Sequence, residues 1–185
     1  MTKLGEKRLS SDPVYVLDAT PIIHFAKVDK LNLVLAICRA YITKEVYKET
    51  VERGGARPDA MMVRDAIERG NLRVYDIHDR SLVMALQRHP EIHAGEAQTI
   101  AAAKELNGSA IIDEAEARAV AKTYVVRTRT GTLFLLFRLL SSERIDARAC
   151  EAMLDELVES GLYVDSRTLI RARQKIREKA LKHTR

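Results

Sequence analysis

Asp18, Glu49, Glu96 and Asp113 are the residues whose type and setting point to chemistry. Asp18 closes the apolar run VYVL, and Asp113 closes SAII. If those runs are parallel strands, both carboxylates stand beyond carboxyl ends, where open parallel sheets bind ligands. In HAGEAQTIAAAKEL, Glu96, Ile100 and Ala103 fall at i, i+4 and i+7. A carboxylate therefore lies in line with an apolar stripe near a helix start. In KEVYKETVE, Val46, Tyr47, Thr50 and Val51 make an inner face that Glu49 borders, with Glu45 further round towards solvent. Singly, each acid has an ordinary explanation: a turn, a helix cap, a dipole interaction or a solvated surface. Together, on separate pieces of one frame, they suggest a common site.

Carboxylates about 4 Å apart repel by a few kcal/mol at an effective dielectric near 20. Such a cluster calls for a positive charge among its members. Oxygen-only ligands suit Mg²⁺ or Mn²⁺, ions that activate water and stabilise a leaving oxygen in phosphodiester hydrolysis. No G-x-x-x-x-G-K-S/T or G-x-G-x-x-G is present, so the standard nucleotide-binding loops find no support. Thr130-Gly131-Thr132 opens a helix after a strand, either as a cap or as backbone N–H groups for a substrate phosphate. Arg127 and Arg129 flank that strand. The last helix carries Arg167, Arg171, Arg173, Lys175, Arg177, Lys179 and Lys182, with Glu178 as the main counter-charge. Arg127, Arg129, Arg171 and Lys175 are the candidates for nucleic-acid contact. His24, in an apolar helix start, and His93, at the start of its helix, read as structural.

The elements that must position these groups alternate. Strands are expected at 14–17, 41–43, 72–75, 109–112 and 124–127. Helices are expected from Thr20-Pro21, with Thr20 as N-cap, and at 44–52, 58–68, 93–106, 114–122 and from Gly131 to Leu140. This predicts an α/β fold, a three-layer sandwich with a four- or five-stranded parallel sheet. From Asp146 the pattern is helical only. Residues 1–12 read as a flexible segment, 13–145 as the domain, and 146–185 as a helical extension packed on the domain or a partner.

Hydrophobic residues make up 46% and charged residues 31%, which excludes disorder. The two cysteines, Cys38 and Cys150, form no CxxC pair and read as buried thiols of a reducing compartment. No signal peptide or membrane span is evident, so a cytoplasmic protein is expected. The net charge of +5 is compatible with a nucleic-acid partner and decides nothing alone.

The stretches VLDATPIIHFAK, ITKEVYKETV, GEAQTIAAAKELNGSAIIDEAEARAVA and TRTGTLFLLFRLL, in this order, resemble the PIN-domain nucleases. The closest resemblance is to a prokaryotic subgroup related to VapC-type toxins, whose tail is similar to LDELVESGLYVDSRTLIRARQKI. The resemblance implies a metal-dependent endoribonuclease, a toxin of a toxin–antitoxin pair, acting on RNA as a homodimer with Mg²⁺ or Mn²⁺. It implies metal-binding and catalytic roles for Asp18, Glu49, Glu96 and Asp113, with Thr20 orienting ligands or water. Ile112-Asp113-Glu114 departs from the family's Thr-x-Asp pattern. Asp113, Glu114 and Glu116 therefore all stay open as the last ligand. The alternative function is a non-catalytic PIN-like module that binds RNA or protein. A phosphohydrolase of small molecules is a third reading, without a recognisable nucleophile motif.

Overall fold

A computed structural model describes residues 12–183, with side chains to residue 181. Residues 1–11 of the expected flexible segment lie outside the described residues. Five strands, β1 (Val14–Leu17), β2 (Arg39–Thr43), β3 (Leu72–Tyr75), β4 (Ser109–Ile112) and β5 (Thr128–Thr130), form one sheet in the order β3-β2-β1-β4-β5. Every pairing is parallel.

The central strands β1 and β4 are apolar on both faces because helices cover both. Tyr15 and Leu17 of β1, Ala40 and Ile42 of β2, and Ile111 of β4 point into one core. That core is closed by α1 (Ala19–Lys27), α2 (Leu31–Leu35), α4 (Pro58–Glu68), α8 (Gly131–Ser141), α9 (Ala147–Glu159) and α10 (Ser166–His183). Val16, Ala110 and Ile112 point into the other, with α5 (Arg80–Leu86), α6 (Ala94–Glu105) and α7 (Ala115–Thr123). The period-2 alternation of strand side chains divides β1 and β4 between the two cores. This is the expected three-layer sandwich. Cys150, Met153, Leu154 and Leu157 of α9, and Ala172 and Ile176 of α10, belong to the first core.

After β1 the chain moves outward to β2 and β3, then returns to lay β4 on the other side of β1. The crossovers leave β1 in opposite directions, so the carboxyl ends of β1 and β4 flank a crevice at a topological switch point.

Several details differ from the sequence expectation. Tyr124–Arg127 is not a strand. Tyr124 ends α7, Val125 takes a left-handed turn at φ 58°, and pairing starts only at Thr128. The apolar YVV run misleads because Val126 plugs the second core from a turn while Val125 stays exposed. Thr20 is not an N-cap, because the helix begins earlier, at Ala19, with Asp18 as the capping position. The expected regular helix at 44–52 is one α-turn, α3 (Lys44–Tyr47), followed by a π-helical stretch, Lys48–Glu52. The counter-charges of α10 include Glu151 and Asp155 of α9, which pair with Arg173 at 3.4 and 2.6 Å. Glu178 instead accepts a hydrogen bond from Gln174.

Both cysteines are free and buried. Burial pushes both thiols up to about 12, which leaves them unreactive near neutrality. Among the described residues no helix is long and apolar enough to cross a membrane.

Candidate metal-binding acid cleft

The crevice at the switch point is lined by Asp18, Thr20, Glu45, Glu49, Glu96 and Glu114, with Arg53 and His93 at its walls. Its volume is about 370 Å³. Asp18, Glu96 and Glu49 come from three separate elements. Asp18 follows β1, and its own N–H donates to the Ile111 carbonyl of β4 at 3.1 Å, which fixes its side chain over the gap between the two strands. Glu96 sits in the first turn of α6, where the His93 N–H donates to its Oε2 at 2.8 Å. That bond satisfies a free donor of the helix start and orients the carboxylate. Glu49 enters from the π-helical stretch, a local widening common at functional sites.

Asp18 is 6% exposed and Glu96 4% exposed, so both charges are largely out of water. Burial, then repulsion from Glu114, Glu96 and Glu49, pushes the Asp18 carboxyl up to about 8, against one hydrogen bond from the Ala19 N–H. Burial likewise raises Glu96, partly offset by the His93 N–H. Glu96 Oε1 is buried and has no hydrogen-bond partner. A buried unpaired acceptor is costly unless something positive meets it. Gly95 separates the acids: a Cβ there would lie 3.5 Å from Asp18 Oδ1 and 3.8 Å from Glu49 Oε2.

Asp113 does not join this group. Its carboxylate turns towards α8, accepting from the Thr132 N–H at 2.9 Å and the Thr132 hydroxyl at 2.7 Å. Those bonds satisfy donors of the α8 start, so Asp113 holds a helix in place. Glu114, the next residue and the capping position of α7, faces the cleft instead. Glu116 does not line the cleft, although its charge is felt by Glu96. Thr20 lies in the cleft as expected. Glu45, read as solvent-facing, also lines it and pairs with Lys48 at 3.3 Å and Arg53 at 3.9 Å. Arg53 and Gly95 carry no warning in the sequence.

The remaining candidates lie elsewhere. His24 ties α1 to the end of α9 through Ser160, at 2.8 Å. Arg127 precedes β5, and its guanidinium binds the Asn107 carbonyl and side chain at the amino-terminal edge of the sheet, the end opposite the cleft. Arg129 and Lys175 meet in a groove beside β5, and Arg171 is exposed on α10 outside that groove.

Asp113 also explains Gly131. A Cβ at Gly131 would overlap the Asp113 carboxyl group. Gly131→Ala should therefore expel that carboxylate and lose the cap. Overpacking and the lost cap together cost about 2–4 kcal/mol. Thermal denaturation should show a melting point lower by roughly 5–15 °C, and an unchanged melting point would discount the overlap.

The PIN-domain profile matches residues 14–178, from β1 into α10. The chain belongs to the PIN-domain family. No curated protein and no solved structure matches it. PIN domains are generally nucleases that use divalent metals, which gives this PIN domain a nuclease-type function and a nucleic-acid substrate. Its donor set fits a hard divalent cation, with carboxylate oxygens only, an unpaired buried oxygen on Glu96 and a proton-retaining Asp18. The acids remain splayed: among the described residues no three His, Cys, Asp or Glu side chains are gathered on one ion-sized point.

Proposed function

We propose that this PIN domain is a metal-dependent endoribonuclease whose Mg²⁺ or Mn²⁺ would be held by Asp18, Glu49, Glu96 and Glu114. The observation that carries the reading is the buried pair Asp18 and Glu96, carboxyl groups enclosed with other acids at the switch point. Bound there, a divalent ion would supply Lewis-acid stabilisation of a phosphodiester and activation of water. The chain's own part is to orient these groups. The His93 N–H fixes Glu96, the β1–β4 ladder fixes Asp18, and Thr20 offers a hydroxyl to orient water or phosphate. The toxin role, a protein antitoxin and a homodimer belong to the same proposal. Exposed Tyr163 and Ile170 offer apolar surface for such partners.

The test is cleavage of a circular single-stranded RNA by the full chain. Mn²⁺ or Mg²⁺ should linearise the circle, chelation should stop the reaction, and Asp18→Asn should be inactive. An intact circle under all metals, or full activity of the variant, rejects the proposal.

One observation favours a second reading, the non-catalytic module: the acids are splayed. Calorimetric titration with Mn²⁺ separates the two. Binding that is lost in Glu96→Gln supports the nuclease, and absence of binding supports the module.

A further inference from the structure

Several cations in this molecule pair with carboxylates. Lys44 meets Asp76, Lys48 meets Glu45, Arg69 meets Asp65, and Arg173 and Arg177 meet Glu151. One groove gathers four that do not. It lies between α7, β5, α8 and α10, has a volume of about 450 Å³, and is lined by Arg118, Lys122, Arg129 and Lys175 with Phe134 and Phe137. No acid lines it. Among the described residues, none of these four cations makes a salt bridge. Arg129 and Lys175 lie over ring faces instead: the Arg129 guanidinium is 5.7 Å from the Phe134 centroid and Lys175 Nζ is 4.4 Å from that of Phe137.

Four cations gathered without a counter-ion repel one another and invite an anion. Their spread along a trough suits a string of phosphates better than a single one. The aromatic floor adds flat apolar surface of the kind on which unpaired bases lie. The groove also has a defined far end. Arg118 Nη1 donates to the Ile112 carbonyl at 3.0 Å and to the Asp113 carbonyl, which pins it at the exit of β4. Glu114, on the same loop, lines the acid cleft. The groove and the cleft therefore both abut the chain leaving β4.

We propose that this groove is a track for single-stranded nucleic acid that leads to the acid cleft. The assignment of the cleft as the cutting site rests on the function proposed above, whereas the track can be tested without any cleavage.

The experiment uses the full chain in chelator, with fluorescence anisotropy of a labelled short oligouridylate, an oligodeoxythymidylate and an RNA duplex, across a salt series. The variant is Arg129→Gln with Lys175→Gln, both exposed and outside the acid cleft. Arg64→Gln with Arg73→Gln, two exposed arginines on α4 and β3, removes the same charge elsewhere. The groove variant should bind single strands about tenfold more weakly, with a salt slope shallower by roughly one unit for the lost phosphate contacts. The control should bind as the parent does. Similar loss with the two single strands shows backbone recognition, and loss with RNA alone shows that the ribose is read; both support the track. Unchanged affinity, equal loss in the control, or loss confined to the duplex overturns it. If the groove variant loses affinity while the parent never cuts the RNA circle, the nuclease proposal fails and the track stands. If the variant cuts and binds as well as the parent, the track fails and the nuclease stands.

Discussion

Glu114→Gln should lower metal-dependent RNA cleavage at least a hundredfold, whereas Asp113→Asn should leave it within a few-fold. Two neighbouring acids are set apart here by where their side chains go. Glu114 faces the cleft and is the largest carboxylate contribution to the raised Asp18. Replacing it with a neutral amide removes one negative charge from the set that would hold the ion. Loss of a single ligand or preorganised electrostatic group typically costs about 10²–10³ in rate. Asp113 is committed to Thr132. Its amide variant keeps one acceptor oxygen, so the α8 cap weakens by about 1 kcal/mol and the melting point falls by only a few degrees. Initial rates at saturating Mn²⁺ and thermal denaturation of both variants separate the roles. Equal rate losses in the two would undo the distinction.

Asp18→Asn should make the metal-free protein more stable, increasingly so as pH rises. The Asp18 carboxyl stands at about 8 in the folded chain and near 3.9 when unfolded. Between those values the native state holds a proton that the unfolded state has released. Native proton uptake exceeds that of the unfolded chain, so stability falls as pH climbs from about 4 to about 8, and is flat beyond. Asparagine has no such transition. The variant's advantage should be close to zero near pH 4 and reach a few kcal/mol above pH 8, at about 1.4 kcal/mol per pH unit as an upper bound. Urea denaturation in chelator at several pH values measures it. A constant difference between the two proteins across the range would contradict the burial argument. Saturating Mn²⁺ should reverse the order, because an ion that binds only the native parent stabilises it by mass action. That stabilisation should itself strengthen with pH, since the ion competes with the Asp18 proton.

Much of the frame is written plainly in the chain. β1, β3, β4 and α4 occupy the expected residues because each is bounded by strong punctuation: Pro13 and Asp18 around β1, Pro58 and Gly70 around α4. β5 was displaced because an edge strand needs little apolar pattern: Thr128–Thr130 is half-buried to exposed, while the apolar run before it belongs to a turn. The helices α2 and α5 were missed because five and seven residues are too few to show a helical period. The site was legible as a set of acids after strands and in a first helical turn. Its membership was not. The choice between Asp113 and Glu114 depends on Thr132, 19 residues further on, which only the packed fold brings to Asp113. The placement of Glu45 depends on the π-helical widening that follows it, which breaks the 100° count used to assign faces.

The order of the strands also governs when a growing polypeptide can assemble its acid cleft. β1 emerges from the ribosome long before its neighbour β4, with β2, β3 and six helices between them. Until β4 arrives, Asp18 has no Ile111 carbonyl to anchor it and no Glu114 beside it. Such distant parallel pairings form late, because the intervening loop must close first. A nascent or truncated product ending before β4 would carry Asp18, Glu49 and Glu96 but lack Glu114 and the strand that anchors Asp18. The acid cleft would thus stay unassembled in any copy that ends before β4, by topology alone.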